Sequence, residues 1–74
     1  MKNQYMVILV DSTSHALRIE QILVRNEIPC KMTPVPRHLS SDCGVCVRIE
    51  AGDWEKTKEL LVQQKAVYRE VYPL

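Results

Sequence analysis

The hydrophobic pattern along the chain predicts alternating strands and helices. Residues 5–10 (YMVILV) form a continuous apolar run rich in β-branched side chains, which is typical of a strand buried on both faces. In later segments the apolar residues either alternate with a period of two or recur with helical spacing. The helical segments follow residues that favour helix N-termini, and Gly52 and Asp53 are expected to cap the second helix. The pattern predicts the order β-α-β-β-α-β, with elements at residues 5–10, 13–26, 28–33, 45–51, 54–64 and 67–72.

This order favours an α+β fold, a ferredoxin-like two-layer sandwich with a four-stranded sheet and two helices on one face. In that topology the first and third strands are central, whereas the second and fourth lie at the edges. The sequence agrees, because YMVILV is the most apolar strand and the prolines fall in the proposed edges. Residues 1–74 are predicted to form a single domain.

Composition and charge narrow the class of protein. Hydrophobic residues make up 46% and charged residues 26%, which is ordinary for a globular protein. A net charge of +1 lacks the basic footprint of a nucleic-acid or membrane-surface binder, and the longest apolar run is too short to span a bilayer. We therefore expect a cytoplasmic protein with no nucleic-acid partner and no membrane partner.

The connection between the second and third strands is unusually long. Residues 34–44 (PVPRHLSSDCG) exceed an ordinary hairpin loop, and prolines stiffen their start. We expect the segment to stand away from the sheet and to be functional, although a solvated surface loop is the plain alternative. The segment concentrates Arg37, His38, Ser40, Ser41, Asp42 and Cys43, and it closes on Gly44.

The three cysteines have different predicted environments. Cys30 lies on the inward side of its strand, where a free cysteine packs as a small hydrophobe. Cys43 and Cys46 form a nominal CxxC. Positions three apart on a strand lie about 10 Å from each other, and a disulfide needs Cα atoms within about 7 Å. We therefore expect no stable bridge, and Cys43 beside Gly44 is the better candidate for a reactive thiol, with Arg37 favouring its thiolate.

A zinc-type set of Cys30, His38, Cys43 and Cys46 is the metal alternative. The chain lacks the paired spacing that structural zinc sites show, so we expect no metal and no cofactor.

Glu20 is a carboxylate among apolar positions of the first predicted helix, which are Ala16, Leu17, Ile19, Ile22, Leu23 and Val24. A buried charge needs a partner. Arg37 is one candidate, and backbone N–H groups of the long loop are another. A rim position that reaches water is equally consistent with the spacing.

A pattern across about residues 5–61 combines Ser12, Thr13, Ala16, Glu20 and Leu23 with PVPR at residues 34–37 and SSxCG at residues 40–44. This pattern resembles a family of very small bacterial proteins described as selenium/sulfur carrier protein-like, formerly a domain of unknown function. The resemblance implies that Cys43 carries sulfur or selenium as a persulfide or selenopersulfide. It further implies that Arg37 assists and that Ser12, Thr13 and Glu20 belong to the same site.

The leading hypothesis is therefore a carrier that takes a chalcogen atom from a donor protein and passes it to an acceptor protein. A carrier or binding protein is favoured over a turnover enzyme. Two alternatives stay open: a regulatory module that binds an anion without covalent chemistry, and a Cys/His metal binder. We also expect the long loop and the turn before the first helix to lie at opposite ends of the sheet. Val7 and Leu9 are expected to leave apolar surface on the helix-free face, which allows a homodimer.

Overall fold

The computed structural model describes residues 4–37, 39 and 44–73. Its elements are β1 (Tyr5–Leu9), α1 (Thr13–Arg25), β2 (Cys30–Pro34), β3 (Val45–Glu50), α2 (Trp54–Gln63) and β4 (Glu70–Pro73). The strands form one sheet in the order β2-β3-β1-β4, and all neighbours are antiparallel. The ferredoxin-like α+β prediction is confirmed, including the central position of β1 and β3.

Both helices pack on one face of the sheet, where they form the main core. Alternate residues of the central strands point to this face and meet the buried positions of the helices. The fully buried contributors from the two layers include Ile8, Val10, Val47, Ile49, Ala16, Ile19, Leu23 and Leu61.

The buried stripe of α1 is narrower than predicted. Ala16, Ile19, Ile22 and Leu23 are buried, but Leu17 and Val24 are 46% and 62% exposed. A helix that lies on one face of a sheet buries only the stripe that faces the sheet, so these two flanking apolar residues stay in solvent.

Two strand boundaries differ from the prediction. Glu27 has φ 61°, and the N–H of Ile28 donates to the carbonyl of Leu23 at 2.9 Å. Because the helix ends in this way, Ile28 is buried in the core and does not pair with a neighbouring strand. Strand β2 therefore begins at Cys30 instead of residue 28. Similarly, β4 begins at Glu70 instead of residue 67.

The start of α2 also differs from the expected cap. A single 3₁₀ turn (Ala51–Asp53) leads into the helix, and the side chain of Asp53 makes no capping hydrogen bond. The backbone of this turn takes the place of the side-chain cap that Gly52 and Asp53 had suggested.

The helix-free face of the sheet is partly covered by the long loop. Val35 and Leu39 pack against Val7, Leu9 and Cys46, and Val7 and Leu9 are 0% and 2% exposed. The expectation that the loop stands away from the sheet is therefore wrong where the loop is described. The apolar surface on which we based a homodimer is covered by the chain itself.

Candidate functional site

One end of the sheet gathers three parts of the chain. Leu9, the last residue of β1, lies opposite Cys46, and Cys46 lies opposite Thr33. The turn before α1, the end of β2 and the start of β3 therefore share one end, which we call the loop end (residues 9–13, 33–37, 39 and 44–46). The expectation that the long loop and the turn before α1 lie at opposite ends of the sheet was wrong. Because β1 and β2 are both antiparallel to β3, they run in the same direction and finish at the same end of the sheet.

Ser12 and Thr13 form the start of α1 at the loop end. Ser12 is the N-cap, and its hydroxyl accepts a hydrogen bond from the N–H of His15 at 3.4 Å. The first turn of α1 contains no acidic residue. The positive end of the helix dipole is therefore not neutralised by a side chain of that turn, which favours a negative charge nearby.

The beginning of the long loop is fixed by backbone hydrogen bonds. The N–H of Val35 donates to the carbonyl of Gly44 at 3.1 Å, which extends the β2–β3 ladder by one step. The N–H of Leu39 then donates to the carbonyl of Pro36 at 3.0 Å. This turn contains Arg37, whose side chain is exposed to solvent.

Gly44 closes the loop in a conformation that requires glycine. Its φ of +85° is rare for residues with a side chain. Apart from its chain neighbours, no atom of residues 4–37, 39 and 45–73 lies within 4 Å of the place where a Cβ at Gly44 would stand. His38, Ser40, Ser41 and Cys43 themselves lie outside the described residues, and the predictions for them stay predictions.

Glu20 lies away from the loop end. It is half-buried on α1, and its carboxylate acts on Cys30, the first residue of β2. Burial raises the pKa of the Cys30 thiol, and the negative charge of Glu20 raises it further. Among the described residues the one ion pair joins Asp11 to Arg69 at 3.1 Å, so Glu20 is not paired with Arg37 there.

Cys30 and Cys46 are both free thiols, but they face opposite sides of the sheet. Cys46 is completely buried beneath the loop, with its Sγ 3.5 Å from the hydroxyl of Thr33 and 3.8 Å from the carbonyl of Pro34. The sheet thus separates two of the four residues of the metal alternative. Across residues 4–37, 39 and 44–73, no three His, Cys, Asp or Glu side chains cluster in a way that could hold a metal ion.

Sequence reasoning missed two features of the loop end. The Asp11–Arg69 ion pair links the end of β1 to the start of β4, where the N–H of Arg69 also donates to the carbonyl of Leu9 at 2.7 Å. The second feature is the cover that Val35 and Leu39 provide. The available signal for the ion pair was strand direction, since antiparallel β4 must begin where β1 ends.

The fold and the loop end define a small α+β protein whose candidate site combines a helix N-terminus, a proline-bordered arginine and a glycine-closed loop. Residues 5–73 match the model of the family described as "Putative Se/S carrier protein-like". The chain belongs to this family. A comparison with curated proteins gave no match, and a comparison with solved structures gave none either. In the part of the chain that the structure describes, neither helix is long and apolar enough to cross a membrane.

Proposed function

We propose that this protein carries a sulfur or selenium atom on Cys43, as a persulfide or selenopersulfide, between a donor protein and an acceptor protein in the cytoplasm. The observation that carries the proposal is the convergence at the loop end. Separate parts of the chain bring four candidate residues to one end of the sheet: Ser12, Thr13, Arg37 and Gly44. Membership of the carrier-like family supports the same conclusion.

The electrostatic setting of the loop end suits a thiolate. The N-terminus of α1, which carries the positive end of the helix dipole, lies at this end of the sheet. The guanidinium of Arg37 adds a charge that persists throughout the accessible pH range. Both features favour the ionised form of a nearby thiol, which is the nucleophile. Glu20 lies beside Cys30 instead, so we assign it no direct contact with the carried atom.

The transfer needs no net oxidation or reduction. The Cys43 thiolate attacks the terminal sulfur of a donor persulfide, a new S–S bond forms on Cys43, and the donor S–S bond breaks with its electron pair leaving on the donor thiolate. Attack by an acceptor thiolate on the terminal sulfur of the Cys43 persulfide repeats the step and returns Cys43 as thiolate. For selenium, a selenopersulfide takes the place of the persulfide and the balance is the same.

Intact-mass measurement tests the proposal directly. The full chain is incubated with a cysteine desulfurase and cysteine, and separately with the desulfurase and selenocysteine, so that the donor presents a persulfide or a selenopersulfide, and we expect the addition of one chalcogen atom. Cys43→Ser should lose the adduct. Cys30→Ser is the matched control and should keep it, because the Cys30 thiol is half-buried and its pKa is raised.

An adduct that persists in Cys43→Ser, or that disappears in Cys30→Ser, would contradict the assignment to Cys43. The absence of any adduct with either donor would contradict the carrier function itself.

A further inference from the structure

The opposite end of the same sheet carries a charged cavity that the carrier function does not use. A cavity of about 250 Å³ lies where β1 and β2 begin and β3 ends, and its lining includes Tyr5, Pro29, Lys31, Arg48, Ile49 and Glu50. We call this the cavity end. Four strand positions separate the pair Tyr5–Glu50 from the pair Leu9–Cys46, which is about 14 Å along the sheet.

Two cations face each other at the cavity end. Lys31 and Arg48 are direct cross-strand partners, so their side chains leave the same, helix-free face of the sheet. Like charges in such a pair destabilise it. Among the described residues the one ion pair joins Asp11 to Arg69. No described carboxylate oxygen therefore lies within 4 Å of the side-chain nitrogens of Lys31 or Arg48, and the repulsion between these two cations is not offset. An anion held between Lys31 and Arg48 would remove the repulsion.

Arg48 is already held in place. Its guanidinium carbon lies 4.4 Å from the centroid of the Tyr5 ring, which is a cation–π contact. The side chain is also partly buried, in contrast to the exposed Lys31. A guanidinium that is fixed before binding loses less conformational entropy when it receives a carboxylate, and its fork of donors matches the two carboxylate oxygens.

Glu50 gives the cavity a second, opposite charge. It lies two residues after Arg48 on β3, on the same face, which places the two Cα atoms about 7 Å apart. Its carboxylate makes no ion pair with either cation in the described part of the chain. A ligand with only negative charge would be repelled by Glu50. A ligand with a carboxylate and an ammonium group a few ångströms apart matches both charges.

We infer that the cavity end binds a free α-amino acid. Arg48 and Lys31 receive its carboxylate, Glu50 receives its ammonium group, and its side chain rests against Pro29. The volume of about 250 Å³ fits one small molecule, below the usual range of drug-sized sites. This inference does not depend on the proposed carrier function, because it uses none of the residues of the loop end.

A titration followed by NMR tests the charge match. Isotope-labelled full chain is titrated at neutral pH and constant ionic strength with L-valine, with isovalerate, which lacks the ammonium group, and with isobutylamine, which lacks the carboxylate. L-Valine should give saturable shifts at Tyr5, Lys31 and Arg48 with a Kd on the order of 1 mM. Each analogue loses one charged contact and should bind about tenfold more weakly or worse.

Variants separate a built site from general charge attraction. Arg48→Met should weaken L-valine binding about tenfold or more. Glu50→Gln should weaken L-valine binding but bring isovalerate to a similar affinity, because the repulsion is gone. Glu59→Gln, on the exposed face of α2, is the control with the same change in charge and should alter neither ligand.

Three outcomes would overturn the inference: no saturable shift with L-valine, equal affinities of L-valine and isovalerate for the parent, or Glu59→Gln acting like Glu50→Gln. If Arg48→Met does not fold, Lys31→Gln takes its place. That variant should weaken L-valine binding while raising the melting temperature of the unliganded protein at low salt. A lowered melting temperature would contradict the repulsion on which the argument rests.

Discussion

The loop end and the cavity end lie on the same sheet face but differ in what covers them. Towards the loop end, Val35 and Leu39 of the loop and Tyr72 of β4 pack against Val7, Leu9 and Cys46, which are at most 2% exposed. At the cavity end the corresponding strand positions carry Tyr5, Lys31, Arg48 and Glu50, which line an open cavity.

The difference teaches how a chain of 74 residues obtains two environments from one sheet. Two loop side chains, together with Tyr72 of β4, are enough to exclude water from one half of a face about 14 Å long, because strand side chains alternate and only every second residue must be covered. The other half keeps charged groups, whose desolvation such a cover would make costly. The loop thus contributes to the core as well as to the candidate site.

The largest expected effect is on stability at the loop end. Leu9→Ala should lower the free energy of unfolding by about 2–5 kcal/mol, because it leaves a cavity in a closely packed environment. Leu17→Ala is the control: Leu17 is 46% exposed, and its loss should change stability by about 0.5 kcal/mol or less. Urea unfolding of both variants measures the difference. A cost for Leu9→Ala no larger than that of Leu17→Ala would mean that the loop does not cover this face in solution.

The spacing of apolar residues predicted part of this contrast between the loop end and the cavity end. The continuous apolar run of β1 predicted burial on both faces, and Ile8 and Val10 face the helices while Val7 and Leu9 face the other way. The expectation that Val7 and Leu9 leave apolar surface was wrong, because both are buried. What buries the second face was not predictable from the pattern. Val35 and Leu39 stand among prolines and polar residues without any repeat, and their contacts depend on the path of the loop in three dimensions.

One part of the candidate site was likewise predictable from the sequence, and another part was not. The meeting of the turn before α1 with the loop follows from strand direction alone, and correct reasoning about β1 and β2 would have predicted it. The separation of Glu20 from this end was harder to foresee. Helical spacing placed Glu20 on the apolar side of α1, but which thiol has its pKa raised by the Glu20 charge depends on how α1 lies across the sheet, and that thiol is Cys30.

The second prediction concerns the order in which the cysteines react. Timed alkylation of the folded protein near neutral pH should label Cys43 first, then Cys30, and Cys46 last. Burial and the charge of Glu20 raise the pKa of Cys30, and Cys46 has no exposed surface. Peptide mapping identifies the labelled sites. Cys30 labelling as fast as Cys43 would contradict the order.

Mild oxidation tests whether Cys43 and Cys46 can form a disulfide. Cys46 lies fully buried under Val35 and Leu39, so a bridge to Cys43 would require the loop cover to move. We expect mapping after oxidation to find no stable Cys43–Cys46 disulfide. A quantitative bridge would contradict this expectation and would favour dithiol redox chemistry instead.

The third prediction separates chemistry from stability at Arg37. Arg37→Ala should slow the alkylation of Cys43 at neutral pH, because a permanent positive charge that favours the thiolate is lost. The side chain is exposed and is not paired with Glu20 within the described residues, so the free energy of unfolding should change by about 0.5 kcal/mol or less. Lys58→Ala, an exposed position on α2, controls for net charge. A large loss of stability with unchanged alkylation would make Arg37 structural.

The smallest expected effect concerns Glu20 and Cys30, and it tests whether Glu20 acts at Cys30 instead of at the loop end. The folded protein holds the Cys30 proton more tightly than the unfolded chain, whose thiol has the ordinary pKa of 9.0. This contribution to stability is fully present below pH 9.0 and is lost as the pH rises through the raised pKa of the folded state.

Glu20→Gln removes the weaker of the two causes of this shift and leaves burial, the stronger one, in place. The pKa of Cys30 should therefore move towards its ordinary value without reaching it. Alkylation of Cys30 near pH 9.0 should become faster, by a smaller factor than the one that separates Cys43 from Cys30 in the parent. Glu59→Gln should leave the rate unchanged because Glu59 lies exposed on α2. If Glu20→Gln instead alters the alkylation of Cys43 and not that of Cys30, Glu20 acts at the loop end, and the separation of the two regions that the geometry implies is wrong.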